Sequence, residues 1–129
     1  TLLYEGINNG ESVISNFIIT ALNNTTKSLL VDNGGGGIRL RVFNASSSIE
    51  STITATGYST GTFKYIIRWD NGELKVFLNG SSVGTATISA YEYLSTYLRE
   101  GTGSNNTIKQ FTIFPTALTD SECIALTSI

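Results

Sequence analysis

Residues Phe63 to Asn79, FKYIIRWDNGELKVFLN, constrain the fold more than any other segment, because two strands and their turn are legible together. Phe63, Tyr65, Ile67 and Trp69 alternate with Lys64, Arg68 and Asp70, and Leu74, Val76 and Leu78 alternate with Glu73, Lys75 and Asn79. Between them Asn71-Gly72 tolerates the positive φ angles of a two-residue type I′ turn. That turn sets Trp69 opposite Leu74, Ile67 opposite Val76 and Tyr65 opposite Leu78, all on one side. Arg68 then meets Lys75 on the other side. Ile66 opposite Phe77 breaks the polarity of that second face, so it must be covered in part, as in one layer of a sandwich.

The remaining apolar runs and turn signals recur at the spacing of an all-β domain. Strands are expected at Leu2 to Ile7, Val13 to Leu22, Ser28 to Asp32, Ile38 to Phe43 and Ile49 to Ala55, and again at Val83 to Ile88, Leu94 to Arg99 and Thr107 to Phe114. Turns are expected at Asn23-Asn24-Thr25-Thr26, Gly34 to Gly37 and Asn79-Gly80-Ser81-Ser82. Tyr91-Glu92-Tyr93 reads as a loop or a brief helical turn. The one helix signal is Thr119-x-x-Glu122, a capping box, with Leu118 and Cys123 as a hydrophobic staple and Leu126 and Ile129 extending the apolar stripe. Such a helix is expected to dock at the end of the sandwich as a plug.

Composition narrows the function classes. Only 14% of residues are charged, and the net charge is −2 with no basic cluster, so nucleic acid lacks its electrostatic footprint. No apolar run reaches the length of a membrane-spanning helix. Cys123 is the single cysteine and there is no histidine. A thiol nucleophile would lack its usual base, and Cys123 reads as a small core residue. The chain reads as one domain, residues 1–129, excised from a longer protein. The N-x-Ser/Thr tripeptides at Asn23, Asn24, Asn44, Asn79 and Asn105 follow from composition alone.

FKYIIRWDNGELKVFLNGSSVGT followed by IKQFTIFPTALTDSECIALT resembles the concanavalin A-like, or laminin G-like, domains of bacteriophage tail and tail-fibre proteins. The shared features are Trp-x-Asn-Gly (Trp69 to Gly72), Val-Phe-Leu-Asn-Gly (Val76 to Gly80), the Phe111/Phe114 spacing, and Ala-Leu-Thr-x-x-Glu (Ala117 to Glu122). They lie in the C-terminal half. The resemblance implies an antiparallel two-sheet jelly-roll β-sandwich with a concave face and a short C-terminal helix. It also implies glycan binding or a structural role beside a receptor-binding site. The family's glycosidases carry paired carboxylates on one strand, and here the pair two apart is Asp120/Glu122 in a helix cap. Asp70 and Glu73 would meet beside the hairpin turn, as a solvated rim.

Calcium sites in such domains use Asp and Asn oxygens, for which Asp32, Asn33 and Asp70 are weak candidates; turn chemistry accounts for all three. No cofactor is expected. Sugars are held by flat aromatic faces and paired hydrogen-bonding groups. The candidates are Tyr91, Tyr93, Tyr97, Arg39, Arg41 and Arg68, with Tyr58, Lys75 and Asn105 beside them, and Trp69 assigned to the core. Arg39 and Arg41 share a strand face, either a basic strip for an acidic glycan or an ordinary solvated surface. The expectation is therefore a non-catalytic host-recognition module of a phage tail or tail fibre, binding cell-surface glycan. It would act at the virion tail or, alternatively, a bacterial surface, in a homotrimeric parent fibre. The alternatives are a structural spacer or trimerisation module, and a polysaccharide-degrading glycosidase.

Overall fold

The computed structural model describes residues 1–9, 17–21, 24–34, 37–43, 49–56, 61–87, 95–100 and 106–129. They form a sandwich of two five-stranded antiparallel sheets and one short C-terminal helix. Sheet A is ordered β10 (Asn106–Ile113), β1 (Leu2–Asn8), β6 (Gly61–Asp70), β7 (Glu73–Leu78), β8 (Ser81–Thr87). Sheet B is ordered β5 (Ile49–Thr56), β4 (Gly37–Phe43), β3 (Asn24–Gly34), β2 (Phe17–Ala21), β9 (Ser95–Glu100). The helix α1 spans Asp120–Thr127.

The hairpin has the expected register: Tyr65 faces Leu78, Ile67 faces Val76, Arg68 faces Lys75 and Trp69 faces Leu74. Asn71 and Gly72 carry the positive φ angles, 45° and 80°, that the turn needs. The same device recurs at Asn79 and Gly80, with φ of 46° and 79°. That turn uses only two residues, so β8 starts at Ser81 and not at Val83. Asn24, Thr25 and Thr26 also belong to a strand rather than a turn, since β3 runs back to pair Asn24 with Ala21. β-Branched Thr25 and Thr26 suit a pleated strand, and this propensity prevails over the Asn signal. Gly34 and Gly37, the ends of the expected glycine loop, are strand positions that pair with each other.

Apolar alternation puts Leu2, Tyr4, Phe63, Tyr65, Ile67, Leu74, Val76 and Leu78 on the inner face of sheet A. They close over Leu40 and Ile53 of sheet B in one buried cluster. Tyr4 stacks on Tyr65 and Phe63, with ring centroids 5.0 and 5.6 Å apart. Two glycines permit this packing. A Cβ on Gly6 would lie 2.9 Å from both the Tyr4 and Phe63 rings, and one on Gly84 would overlap Ile53 Cγ2 where β8 meets β5. Trp69 is half-buried and packs at the margin of this cluster, not within it.

The outer face of sheet A is covered by α1 and the segment leading into it. Leu3, Ile66, Phe77 and Cys123 form a second buried cluster, flanked by Phe114 and Leu118. This resolves the Ile66/Phe77 exception: the apolar pair on the polar face is the seat of the helix. The helix thus lies across a sheet face, against β6, β7 and β8, and does not plug the sandwich end. Cys123 and Thr127, four apart, point inward, while Leu126 and Ile129 are 38% and 72% exposed and do not continue the buried stripe. No helix among the described residues is long and apolar enough to cross a membrane.

Candidate functional site

Leu40 and Ile53 face inward, so alternation turns positions 39 and 41 of β4, and 52 and 54 of β5, to the outer face of sheet B. Arg39 and Arg41 are both half-buried there. Strand pairing extends this face in register. One row joins Thr52, Arg41, Leu30, Ile18 and Arg99 across all five strands. The next joins Ile49, Phe43, Ser28, Thr20 and Tyr97. A third aligns Thr54, Arg39 and Asp32. The rows between them are apolar in the middle of the sheet: Val42, Leu29, Ile19 and Leu98 form one, and Leu40, Val31 and Phe17 lie in the other. Sheet B therefore has an apolar inner register and an outer one that mixes arginine, aspartate, hydroxyl, aromatic and aliphatic positions.

Of the residues expected to bind glycan, Arg39, Arg41 and Tyr97 come to this face. Tyr91 and Tyr93, like Tyr58 and Asn105, lie outside the described residues. Arg68 is elsewhere, on the outer face of sheet A. Its Nη2 donates to Glu73 Oε1 at 2.8 Å, and its Nη1 donates to the Leu118 carbonyl at 3.3 Å and to Asp120 Oδ1. The side chain is only 14% exposed. Burial opposes its charge, yet the Glu73 and Asp120 carboxylates hold its pKa above the ordinary arginine value. Arg68 is thus a structural clamp, and it is separated from Arg39 and Arg41 by the thickness of the sandwich.

That clamp solves a local problem. Two cations directly opposite across strands repel. Arg68 and Lys75 occupy such a pair, and the single carboxylate of Asp120, in the first turn of α1, bonds both. The Phe77 ring lies below, 6.0 Å from Arg68 Cζ and 5.6 Å from Lys75 Nζ. The Lys75 hydrogen bond first, and that of Arg68 second, hold the Asp120 pKa below the usual carboxylate range. Alongside, Glu5 pairs with Lys64 at 3.9 Å and with Lys109 at 3.7 Å. At the other end of the helix the Thr127 hydroxyl donates to the Cys123 carbonyl at 2.8 Å and accepts from Gly80 N at 3.1 Å. The outer face of sheet A is a charge-balanced seat for a helix.

One of the two carboxylates at the hairpin turn is also occupied structurally. Asp70 and Glu73 are register partners, and Glu73 is committed to Arg68. The weak metal candidates are dispersed: Asp32 and Asn33 are successive positions of β3, which alternate between faces of sheet B, and Asp70 is exposed at the turn of sheet A. Among the described residues no group of three or more His, Cys, Asp and Glu side chains could hold a metal ion.

Arg99 went unremarked in the sequence because nothing in it says which strand follows β2 in the sheet. Its own alternation, Tyr97-Leu98-Arg99, carried the signal. Only the pairing of β9 with β2 brings it into the row of Arg41.

No family model matches the chain, and no curated protein is similar to it in sequence. Solved structures are similar in fold. The CBM40 of the Ruminococcus gnavus IT-sialidase bound to α2,3-sialyllactose superposes with a TM-score of 0.73 and 16% sequence identity, over 99% of this chain and 81% of that one. The fold is that of a CBM40-like β-sandwich. A second structure of the Ruminococcus gnavus IT-sialidase CBM40, and one bound to α2,6-sialyllactose, give TM-scores of 0.72 and 0.66 at 15% identity, each over 98% of this chain and 81% and 82% of theirs. At this identity the CBM40-like likeness is one of architecture: two antiparallel sheets and one short helix.

Proposed function

We propose that this CBM40-like domain is a non-catalytic module that binds an acidic cell-surface glycan on the outer face of sheet B. The observation that carries the proposal is the register of that face. Arg39 and Arg41 lie beside a row with aromatic positions at Phe43 and Tyr97 and hydroxyl positions between them, Ser28 and Thr20. Guanidinium groups pair bidentately with carboxylates, hydroxyls exchange hydrogen bonds with sugar hydroxyls, and aromatic rings cover C–H faces. The sialyllactose ligands of the similar structures belong to this acidic class and support the reading through shared fold. Tyr91 and Tyr93 remain candidates for glycan contact from the sequence, and Arg68 is left out of the proposed surface.

The setting, a phage tail or tail fibre engaging its host, is supported by the resemblance of residues 63–85 and 108–127. Single sugar sites commonly bind near millimolar, about −4 kcal/mol. Several copies on one trimeric fibre would raise the effective affinity by multivalency. A glycan array of neutral and sialylated oligosaccharides, probed with the domain and with Arg41→Ala, tests the proposal. Binding enriched among acidic glycans and lost in the variant is expected. Signal on no glycan, or signal indifferent to Arg41, contradicts it.

A second reading, a packing module of the fibre, has its own observation. Ile124, Leu126 and Ile129 on or beside α1, and Ile108 and Ile113 on the edge strand β10, are exposed large apolar residues. A domain that fails the array yet self-associates through these side chains would be a spacer.

A further inference from the structure

We propose that Asn71, at the tip of the β6–β7 hairpin, is a site of spontaneous deamidation, and that α1 shields the equivalent site at Asn79 from the same reaction. The sequence carries four Asn-Gly dipeptides, at Asn9, Asn33, Asn71 and Asn79. The last two form two-residue turns with the same backbone: φ is 45° and 80° at Asn71-Gly72, and 46° and 79° at Asn79-Gly80. Both asparagines are exposed and both glycines half-buried. Neither turn geometry nor exposure therefore separates them. Both turns belong to sheet A and take no part in the proposed glycan face. Glycine after asparagine favours the reaction in each, because no side chain crowds the approach of its nitrogen. The step is a cyclisation. Hydroxide takes the Gly N–H proton and the nitrogen attacks the Asn Cγ. The new N–C bond displaces the side-chain nitrogen as ammonia, leaving a succinimide. Water then opens that ring at either carbonyl, giving aspartate or its β-linked isomer and one more negative charge.

Hydrogen bonding does separate the two turns. At Asn79 both reacting groups are held. Lys64 N donates to Asn79 Oδ1 at 2.9 Å, which fixes the side-chain amide across to β6, and Asn79 N donates to Lys64 O at 3.0 Å. The attacking nitrogen, Gly80 N, donates at 3.1 Å to Thr127 Oγ1 in the last turn of α1. That hydroxyl is itself fixed by donating to the Cys123 carbonyl. Ser128, just past the helix, closes over the same turn: a Cβ on Gly80 would lie 3.1 Å from its Oγ, and its carbonyl accepts from Lys64 Nζ at 3.3 Å. Bringing Gly80 N onto Asn79 Cγ breaks the Lys64 and Thr127 bonds together, so the end of α1 must lift first. Among the described residues no hydrogen bond engages the Asn71 side chain or the Gly72 N–H, and cyclisation there needs only rotation of an exposed side chain.

The test is a time course of deamidation. The domain is incubated in mildly alkaline buffer, folded and in parallel unfolded in guanidinium chloride, and the peptides containing Asn71 and Asn79 are quantified by mass spectrometry. In the folded domain Asn71 should convert at least about tenfold faster than Asn79, as expected if Asn79 reacts only from an opened state populated in about a tenth of molecules or fewer. In guanidinium chloride the two rates should become similar, because glycine follows both. Thr127→Val keeps the shape of the buried side chain and removes the acceptor. It should raise the Asn79 rate severalfold and leave that of Asn71 unchanged. Equal rates in the folded domain, or faster conversion at Asn79, overturn the proposal. So does a preference for Asn71 that persists in the unfolded chain, which would assign it to flanking residues. An Asn79 rate indifferent to Thr127→Val overturns the shielding by α1.

Discussion

At the scale of single residues, the least replaceable positions are those where a side chain and a void fit each other. Gly84 is one, because Ile53 of the opposing sheet occupies the space its Cβ would need. Gly84→Ala should cost about 1–3 kcal/mol in chemical denaturation, in the range of other overpacked cores. The double change Gly84→Ala with Ile53→Ala should cost less than the two single changes summed, since the shortened side chain vacates the space. Strict additivity would mean that β8 and β5 do not meet there. Val76, buried between Ile67 and the second sheet, is a simpler case, and Val76→Ala should cost about 2 kcal/mol.

At the scale of elements, α1 is held by one cap, one carboxylate, the hydrogen bond from Gly80 N to the Thr127 hydroxyl and a small apolar seat. The Thr119 hydroxyl accepts from Glu122 N, while Glu122 Oε2 accepts from Thr119 N at 2.7 Å. Thr119→Ala should cost about 1 kcal/mol. Asp120→Asn should loosen the helix more selectively, because Arg68 and Lys75 then face each other without their shared anion. Cys123, fully buried under the helix, is the natural reporter: its alkylation should accelerate severalfold in Asp120→Asn and be slowed again by adding Lys75→Met. Alkylation at the wild-type rate would mean that the helix holds without the Asp120 carboxylate.

The acid response of the same element follows from its carboxylates. Asp120 is depressed by Lys75 and Arg68, and Glu122 by its hydrogen bonds from the Thr119 backbone and side chain. A folded-state pKa below the unfolded one gives stability that is complete above the ordinary carboxylate values, about 4, and lost as pH falls through the depressed values. The protection of α1 amides against exchange, relative to their intrinsic rates, should therefore be constant down to about pH 4 and fall selectively below it. A helix whose protection falls between neutrality and pH 5 would contradict this assignment.

At the scale of the whole molecule, the sequence was explicit about contacts between neighbours in the chain and silent about partners far apart. The hairpin register, both Asn-Gly turns and the capping box were readable because each rests on a few adjacent residues with a specific backbone demand. The Ile66/Phe77 pair even announced a covering layer, though not that the layer would be α1. Leu126 and Ile129 misled, because a helix of eight residues resting on one seat buries only the positions nearest it, Cys123 and Thr127. The candidate site was half legible. Alternation put Arg39 and Arg41 together, but Arg68 looked equivalent until its sheet and its partners were known, and Arg99 became relevant only through the order of strands. Strand order arises from tertiary packing of both sheets, which no local pattern encodes.

The most direct test of the central claim is to map where a sialylated ligand touches the domain. Titrating 3′-sialyllactose into the ¹⁵N-labelled protein should shift backbone amides of β4, β3, β2 and β9 around Arg39, Arg41 and Tyr97. Arg41→Ala should abolish the shifts, and Arg68→Ala, on the far side of the sandwich, should leave those on sheet B in place. Shifts confined to α1, β10 or the outer face of sheet A, or none at saturating ligand, would contradict the assignment of sheet B as the binding face.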